Sequence, residues 1–230
     1  MKLTQDKKLY EPDNEIGPLG GFRASYQNRG YQTAISFVKE KRTAIDVGAH
    51  IGIFSRRMSK DFQQVHCFEP QPVLNDCWDI NCKGLSNLKL YKNCLSNKTG
   101  QAQMKCYEAN SGASTLHFDP NKKFMNRKHH QFIIDVNLQT LDSYNFTDVD
   151  FIKIDAEKHE LQVLQGAVNT INTYKPVIYV ELHGKPEQVR AKDPAYQFLL
   201  SLNYFETQYL GSWNYLFIDD SIWNHLFIDN

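Results

Sequence analysis

Short apolar runs alternate with longer amphipathic stretches along most of this chain. Thr43–Val47 (TAIDV) is a β-branched and apolar run ending at a glycine, and it predicts a strand. A helix is expected before it, over 25–40, and another after it, from Gly52 to Asp61. Val65–Phe68 reads as a second strand, punctuated by Pro70, followed by a helix over 72–83 and a third strand over Leu88–Leu95. Asp150–Asp155 (DFIKID) has the composition of a buried strand. From Glu157 to Thr173, apolar residues recur at spacings of three and four (Leu161, Leu164, Ala167, Val168, Ile171), which predicts one continuous helix. Pro176 ends it. Val177–Glu181 (VIYVE) is a further strand, 186–201 a further helix, and the C-terminus returns to strands.

Two regions break this rhythm. Residues 100–138 lack a helical period but alternate in QAQMKCY and FIIDVNL, which predicts an inserted antiparallel hairpin with a loop between its strands. Residues 1–24 are polar and rich in glycine and proline, and read as a loosely held arm before a single domain over 25–230. Near the end, Trp213-Asn-Tyr-Leu-Phe-Ile-Asp219 is nearly copied by Trp223-Asn-His-Leu-Phe-Ile-Asp229. One copy is expected as the last strand of the sheet, and the other as a local duplication.

Strands alternating with helices imply an α/β doubly wound fold with a mostly parallel sheet covered on both faces. Ligands of such sheets bind beyond the carboxyl ends of the strands. The segments to inspect are therefore Asp46–Gly52, Glu69, Asp155–Glu160 and Glu181–His183. In the first, glycines let the chain turn tightly between strand and helix, and the following helix offers unpaired N–H groups. Glu69 ends the next strand, where an acid can accept the hydroxyls of a ribose. The loop is not G-x-G-x-x-G, which disfavours a nicotinamide dinucleotide.

Composition narrows the class. Twenty-six basic and 26 acidic residues give a net charge of +0, so no global field draws the chain to nucleic acid or to an anionic membrane. The five cysteines form no C-x-x-C pair, which argues against zinc and against a disulfide framework, and no metal is expected. The N-terminus has no apolar core of the signal-peptide kind, and no run approaches a membrane span. A cytoplasmic protein with reduced thiols is expected. Lys122–His130 is a local basic segment (KKFMNRKHH), readable as a solvated loop or as a contact for an anionic acceptor.

Five motifs, in order, carry a resemblance: DVGAHIG (46–52), FEP (68–70), TLD (140–142), KIDAEKHE (153–160) and VLQGA (163–167). Over about residues 40–183 the chain resembles the FkbM-like methyltransferases, which are class I enzymes. The resemblance implies a seven-stranded Rossmann-like sheet and S-adenosylmethionine as methyl donor. It implies cofactor contacts from Asp46, Gly48, Ala49, His50, Gly52, Glu69 and Pro70, with Leu95 and Ser96 bordering the adenine and Asp155 facing the methyl. His50 replaces the family's asparagine. Both residue types are enriched at positive φ, so the same turn is expected. Lys158 and His159 replace a glycine and its neighbour.

A hydroxyl acceptor must lose a proton, so a carboxylate or imidazole near the methyl would help. Asp155, Glu157, Glu181 and His183 are the catalytic candidates, together with Glu160, which would share a helix face with Glu157 or merely favour the helix dipole. The resemblance implies O-methylation of a small molecule or a sugar or glycan. RNA methylation through 122–130, a nicotinamide oxidoreductase, and a binding protein that has lost catalysis are the alternatives. No membrane partner is expected, and a homodimer is open.

Overall fold

The computed structural model describes residues 1–16, 23–118 and 131–221. In chain order the elements are β1 (Lys2–Leu3), β2 (Tyr10–Glu11), α1 (Asn28–Ile35), β3 (Thr43–Val47), α2 (Ile53–Asp61), β4 (Gln64–Phe68), α3 (Pro72–Asn81), β5 (Leu88–Tyr91), β6 (Cys94–Leu95) and β7 (Gly100–Tyr107). They continue with β8 (Gln131–Gln139), β9 (Val149–Ile154), α4 (Glu160–Gln165), α5 (Val168–Tyr174), β10 (Val177–Glu181), α6 (Pro186–Lys192), α7 (Pro194–Ser201), β11 (Tyr204–Gly211) and β12 (Asn214–Asp219).

The main sheet has seven strands in the order β11-β12-β10-β9-β3-β4-β5. Its inner strands pair in parallel, and β12 is inserted antiparallel between β10 and β11. This is the expected doubly wound α/β fold, and strand alternation explains its two cores. Ile45, Val47, Ile152, Ile154, Ile178 and Val180 point into one cluster, under α4, α5 and α7. Ala44, Phe151, Val177 and Tyr179 point into the other, under α1 and α2. Apart from half-buried Asp150, the residues of β3, β9 and β10 are buried, with Thr43, Asp46, Lys153 and Glu181 the polar ones among them. Asp46 and Lys153 are direct neighbours in the β3–β9 register, so they share a face.

The inserted region folds as predicted, with β7 and β8 antiparallel in a three-stranded sheet of order β6-β8-β7. The expected strand over 88–95 is in fact two. The chain leaves the main sheet after Tyr91 and pairs Cys94 and Leu95 with β8. The helix expected over 157–173 is also divided. Glu157 and Lys158 have φ of 47° and 78°, so helical geometry starts only at Glu160. It breaks at Gly166, where a Cβ would lie 1.9 Å from the Ser96 carbonyl oxygen. The helix expected over 186–201 breaks at Asp193, which is extended (φ −67°, ψ 126°) ahead of Pro194 and caps α7 through Ala195 and Tyr196 N–H.

The arm is the largest correction. Residues 1–16 were expected to be loosely held, yet they lie against the domain. Leu9 is buried with Ile51, Ile53 and Leu74. Asn81 on α3 closes a reciprocal pair with Tyr10, accepting its N–H at 2.6 Å and donating to its carbonyl at 2.8 Å. A side-chain amide at the right height supplies the ladder that a two-residue hairpin lacks. The first copy of the C-terminal repeat forms β12, as one copy was expected to. The second copy and the basic 122–130 segment lie outside the described residues.

Candidate active site

At the carboxyl ends of β3, β4, β9 and β10 the chain encloses a cavity of about 390 Å³. Its floor begins with Gly48–His50. Gly48 has φ 73°, and a Cβ there would fall 2.0 Å from the Asp155 carbonyl oxygen, so only glycine lets the two strand ends approach this closely. His50 has φ 51°, the left-handed turn anticipated from its residue type. Its amide donates to Glu69 Oε2 at 3.0 Å, and the Gln71 amide donates to Glu69 Oε1 at 2.9 Å. Each carboxylate oxygen takes one backbone N–H and keeps acceptor capacity. Burial pushes the Glu69 carboxyl up to about 7, against the pull of those two donors.

Of the predicted cofactor residues, Gly48, Ala49, His50, Glu69, Pro70, Leu95 and Asp155 line this cavity. Three others stand behind it. Asp46 is fully buried, accepts from Ser55 Oγ at 2.6 Å and pairs with Lys153 at 3.5 Å. Gly52 packs against Cys82 and Trp78. Ser96 is buried, with its hydroxyl 3.0 Å from His159 Nε2. Asp46 was expected to meet the cofactor directly or through water, Gly52 to let the backbone pass close to it, and Ser96 to border the adenine. Their alternating direction along the strand or their close packing explains why the cavity does not reach them.

Four of the five catalytic candidates, Asp155, Glu157, Glu181 and His183, line the same cavity. His183 Nε2 lies 2.9 Å from Glu181 Oε1, and that hydrogen bond holds the imidazole pKa above its usual value of 6.5. The Trp213 ring stacks on the same imidazole, with centroids 4.6 Å apart and planes at 28°. Burial raises both Asp155 and Glu157, with Lys153 opposing at Asp155 and the neighbouring Asp155 carboxylate adding to the rise at Glu157. Glu160 does not share a helix face with Glu157. It folds back to accept the N–H of Ala156 at 3.2 Å and of Lys158 at 3.0 Å, pinning the left-handed turn at Glu157 and Lys158 without itself lining the cavity.

Lys153 was not among the predicted site residues and is central to the site. Its ammonium is buried, donates to the carbonyls of Val47 (3.1 Å) and Gly48 (2.7 Å), and pairs with Asp46 and with Asp155 at 3.6 Å. It ties the ends of β3 and β9 together. The signal was available, because a lysine interrupts the apolar run DFIKID two residues before its terminal aspartate. Tyr26, Gln71, Ser111 and Trp213 also line the cavity, and neither Gln71 beside FEP nor Trp213 at the head of the repeat carried a signal of a role in the site.

Two motifs turn out to hold the frame. Asp142 of TLD caps α5 from outside, accepting the N–H of Asn169 and Thr170 at 2.9 Å each and the Thr170 hydroxyl at 2.7 Å. Gly166 of VLQGA gives the Ser96–Asn97 backbone its seat.

The family model for the methyltransferase FkbM domain matches residues 46–216. The chain belongs to the FkbM methyltransferase family. Among solved structures it is similar to methyltransferase FkbM from Methylobacillus flagellatus, at 16% identity and a TM-score of 0.51, over 78% of this chain and 43% of that one. This chain thus spans less than half the length of that relative. Precorrin-8w decarboxylase from Methanobacterium thermoautotrophicum is similar at 12% identity and TM-score 0.49, over 89% of this chain and 82% of that one. A Streptococcus mutans protein, named as a methyltransferase and in complex with SAH, is similar at 10% identity and TM-score 0.48, over 81% and 94%. The likeness to the Methylobacillus flagellatus structure shows the fold alone, a mostly parallel Rossmann-like sheet. A search of curated protein sequences returned no match. Among the described residues, no helix is long and apolar enough to cross a membrane.

Proposed function

We propose that this chain is an S-adenosylmethionine-dependent methyltransferase that methylates a hydroxyl of a small molecule or a sugar. One observation carries the reading. A buried carboxylate at the end of β4, held by two backbone N–H groups, lines one cavity together with an imidazole–carboxylate pair at the end of β10. The first is the chemistry that holds a ribose, and the second is the chemistry that takes a proton from a hydroxyl.

The cofactor's donor set is present. Glu69 would hold the ribose hydroxyls, Leu95 and Phe68, whose ring is backed by Tyr91 (4.9 Å), border an apolar end suited to adenine, and Gly48–His50 pass beneath. When bound, the cofactor supplies an electrophilic methyl on a sulfonium centre. Lys153 fixes the Gly48 backbone and Asp155 relative to each other, which sets the direction from which an acceptor can approach. His183, neutral with its Nε2–H donated to Glu181, would take the acceptor's proton at Nδ1, and Trp213 holds the ring plane. Three carboxylates around the acceptor end disfavour a phosphate-bearing substrate, which supports a neutral hydroxyl acceptor over RNA. The free and mostly buried cysteines suit a reducing, cytoplasmic setting.

Calorimetry with S-adenosylmethionine, S-adenosylhomocysteine and NAD tests the reading. The two adenosyl ligands should bind and NAD should not, and Glu69→Ala should weaken adenosyl binding by on the order of a hundredfold, the loss of two hydrogen bonds to a charged group. No adenosyl binding by the wild type, or an unchanged affinity in Glu69→Ala, would sink it.

A further inference from the structure

The segment before α1 reaches the cofactor side of the cavity through one buried carboxylate. Glu15 is 0% exposed, and its Oε2 accepts both the amide (3.0 Å) and the hydroxyl of Ser111. The backbone beside it is tied as well, with Ile16 N–H donating to the Ala109 carbonyl at 3.0 Å and Lys2 Nζ donating to the Glu15 carbonyl at 2.7 Å. Ser111 in turn meets the cofactor loop, because its Oγ is 2.8 Å from His50 Nε2.

Donor counting orders this chain of contacts. A serine hydroxyl has one proton, and Glu15 receives it. Toward His50, Ser111 Oγ can therefore only accept, so His50 must carry its proton on Nε2. The contacts close into a ring around Glu69. One Glu69 oxygen is held by the His50 amide, the other by the Gln71 amide. The side chains of both residues return to Ser111: His50 to its hydroxyl and Gln71 to its carbonyl at 3.4 Å.

We propose that Glu15 is a positioning residue for cofactor binding: through Ser111 it locks the His50 ring in one tautomer and so sets the two backbone N–H groups that aim the Glu69 carboxylate. The inference rests on the reading of Glu69 as the ribose ligand. It also accounts for the histidine that replaces the family's asparagine at position 50. The imidazole spans the distance to Ser111, and the N-terminal segment thereby becomes part of the cofactor site rather than a passive cover.

The test uses the full chain and S-adenosylhomocysteine as probe. Glu15→Ala should weaken its binding, and raise KM for S-adenosylmethionine, by on the order of tenfold while leaving kcat and the acceptor KM nearly unchanged. Glu15→Gln should restore binding, since its amide oxygen can accept both Ser111 protons. In a His50→Asn background, Glu15→Ala should cost much less, because the shorter side chain takes the ring out of the relay. Imidazole nitrogen NMR should show the Nε2–H tautomer of His50 in the wild type and its loss in Glu15→Ala. Unchanged affinity in Glu15→Ala, additive effects in the double variant, or an Nδ1–H tautomer in the wild type each overturn the proposal. If the wild type binds no adenosylhomocysteine, the ribose reading fails and the inference falls with it. If the wild type binds and Glu69→Ala does not, the ribose reading stands and only the Glu15 variants decide.

Discussion

His183 and Lys158 show how single residues set chemistry and conformation here. The imidazole is held above its usual pKa by the Glu181 carboxylate, so it is protonated through a wider range than a free histidine. As a base it must be neutral. Turnover should therefore rise with pH through a midpoint above 6.5. Glu181→Gln removes the partner that favours the imidazolium, so in a pH–rate profile the limb should move to lower pH while maximal rate falls. A limb that stays in place would remove His183 as the base. Lys158 stands where the family has glycine and keeps φ 78° on an exposed side chain. A lysine in the left-handed region is strained by about 1 kcal/mol relative to glycine. Lys158→Gly should raise the midpoint of thermal unfolding with activity retained, as read by calorimetry and a turnover assay.

At the scale of elements, the sequence periodicity was readable wherever an element is closed by its own residues and failed wherever a distant contact closes it. TAIDV, DFIKID and VIYVE fall within one residue of β3, β9 and β10, because burial on both faces demands continuous apolar runs. The break at Gly166 was not readable, because the Ser96 carbonyl that imposes it lies seventy residues earlier. The external cap on α5 has the same character. Asp142 sits 27 residues before the N–H of Asn169 that it satisfies, so no local cap signals the start of that helix. Asp142→Ala should destabilise the protein by about 1–2 kcal/mol in urea unfolding, and Asp142→Asn should recover part of that. A change within a few tenths would mean that other groups, water included, satisfy those donors.

For the whole molecule, the order of the main sheet follows from rules the sequence obeys, and the ring of loops around its carboxyl ends does not. The DVGAHIG loop, Glu69 and Asp155 were legible because a strand end followed by a turn marks them. Lys153 and Ser111 needed the register and the inserted sheet, which bring together residues more than forty positions apart. Tyr26 and Trp213 likewise enter the cavity from opposite ends of the chain. The early segment, read as loose from its glycines and prolines, is held by a side-chain amide on α3 that composition does not reveal.

The carboxylates beside Lys153 bear on turnover as well as on recognition. On the proposed reading the donor arrives as a sulfonium cation and leaves as a neutral sulfide, so the site's charge drops by one at each cycle. Asp155 and Glu157, both raised by burial, would be pulled toward ionisation when the cation enters and would take protons back once it is gone. Donor affinity should therefore climb with pH more steeply than product affinity, and calorimetry of the two ligands across the neutral range would show equal slopes if it does not. An acidic wall of this kind favours exchange of spent ligand for fresh, so the same charges that orient the acceptor also help clear the site.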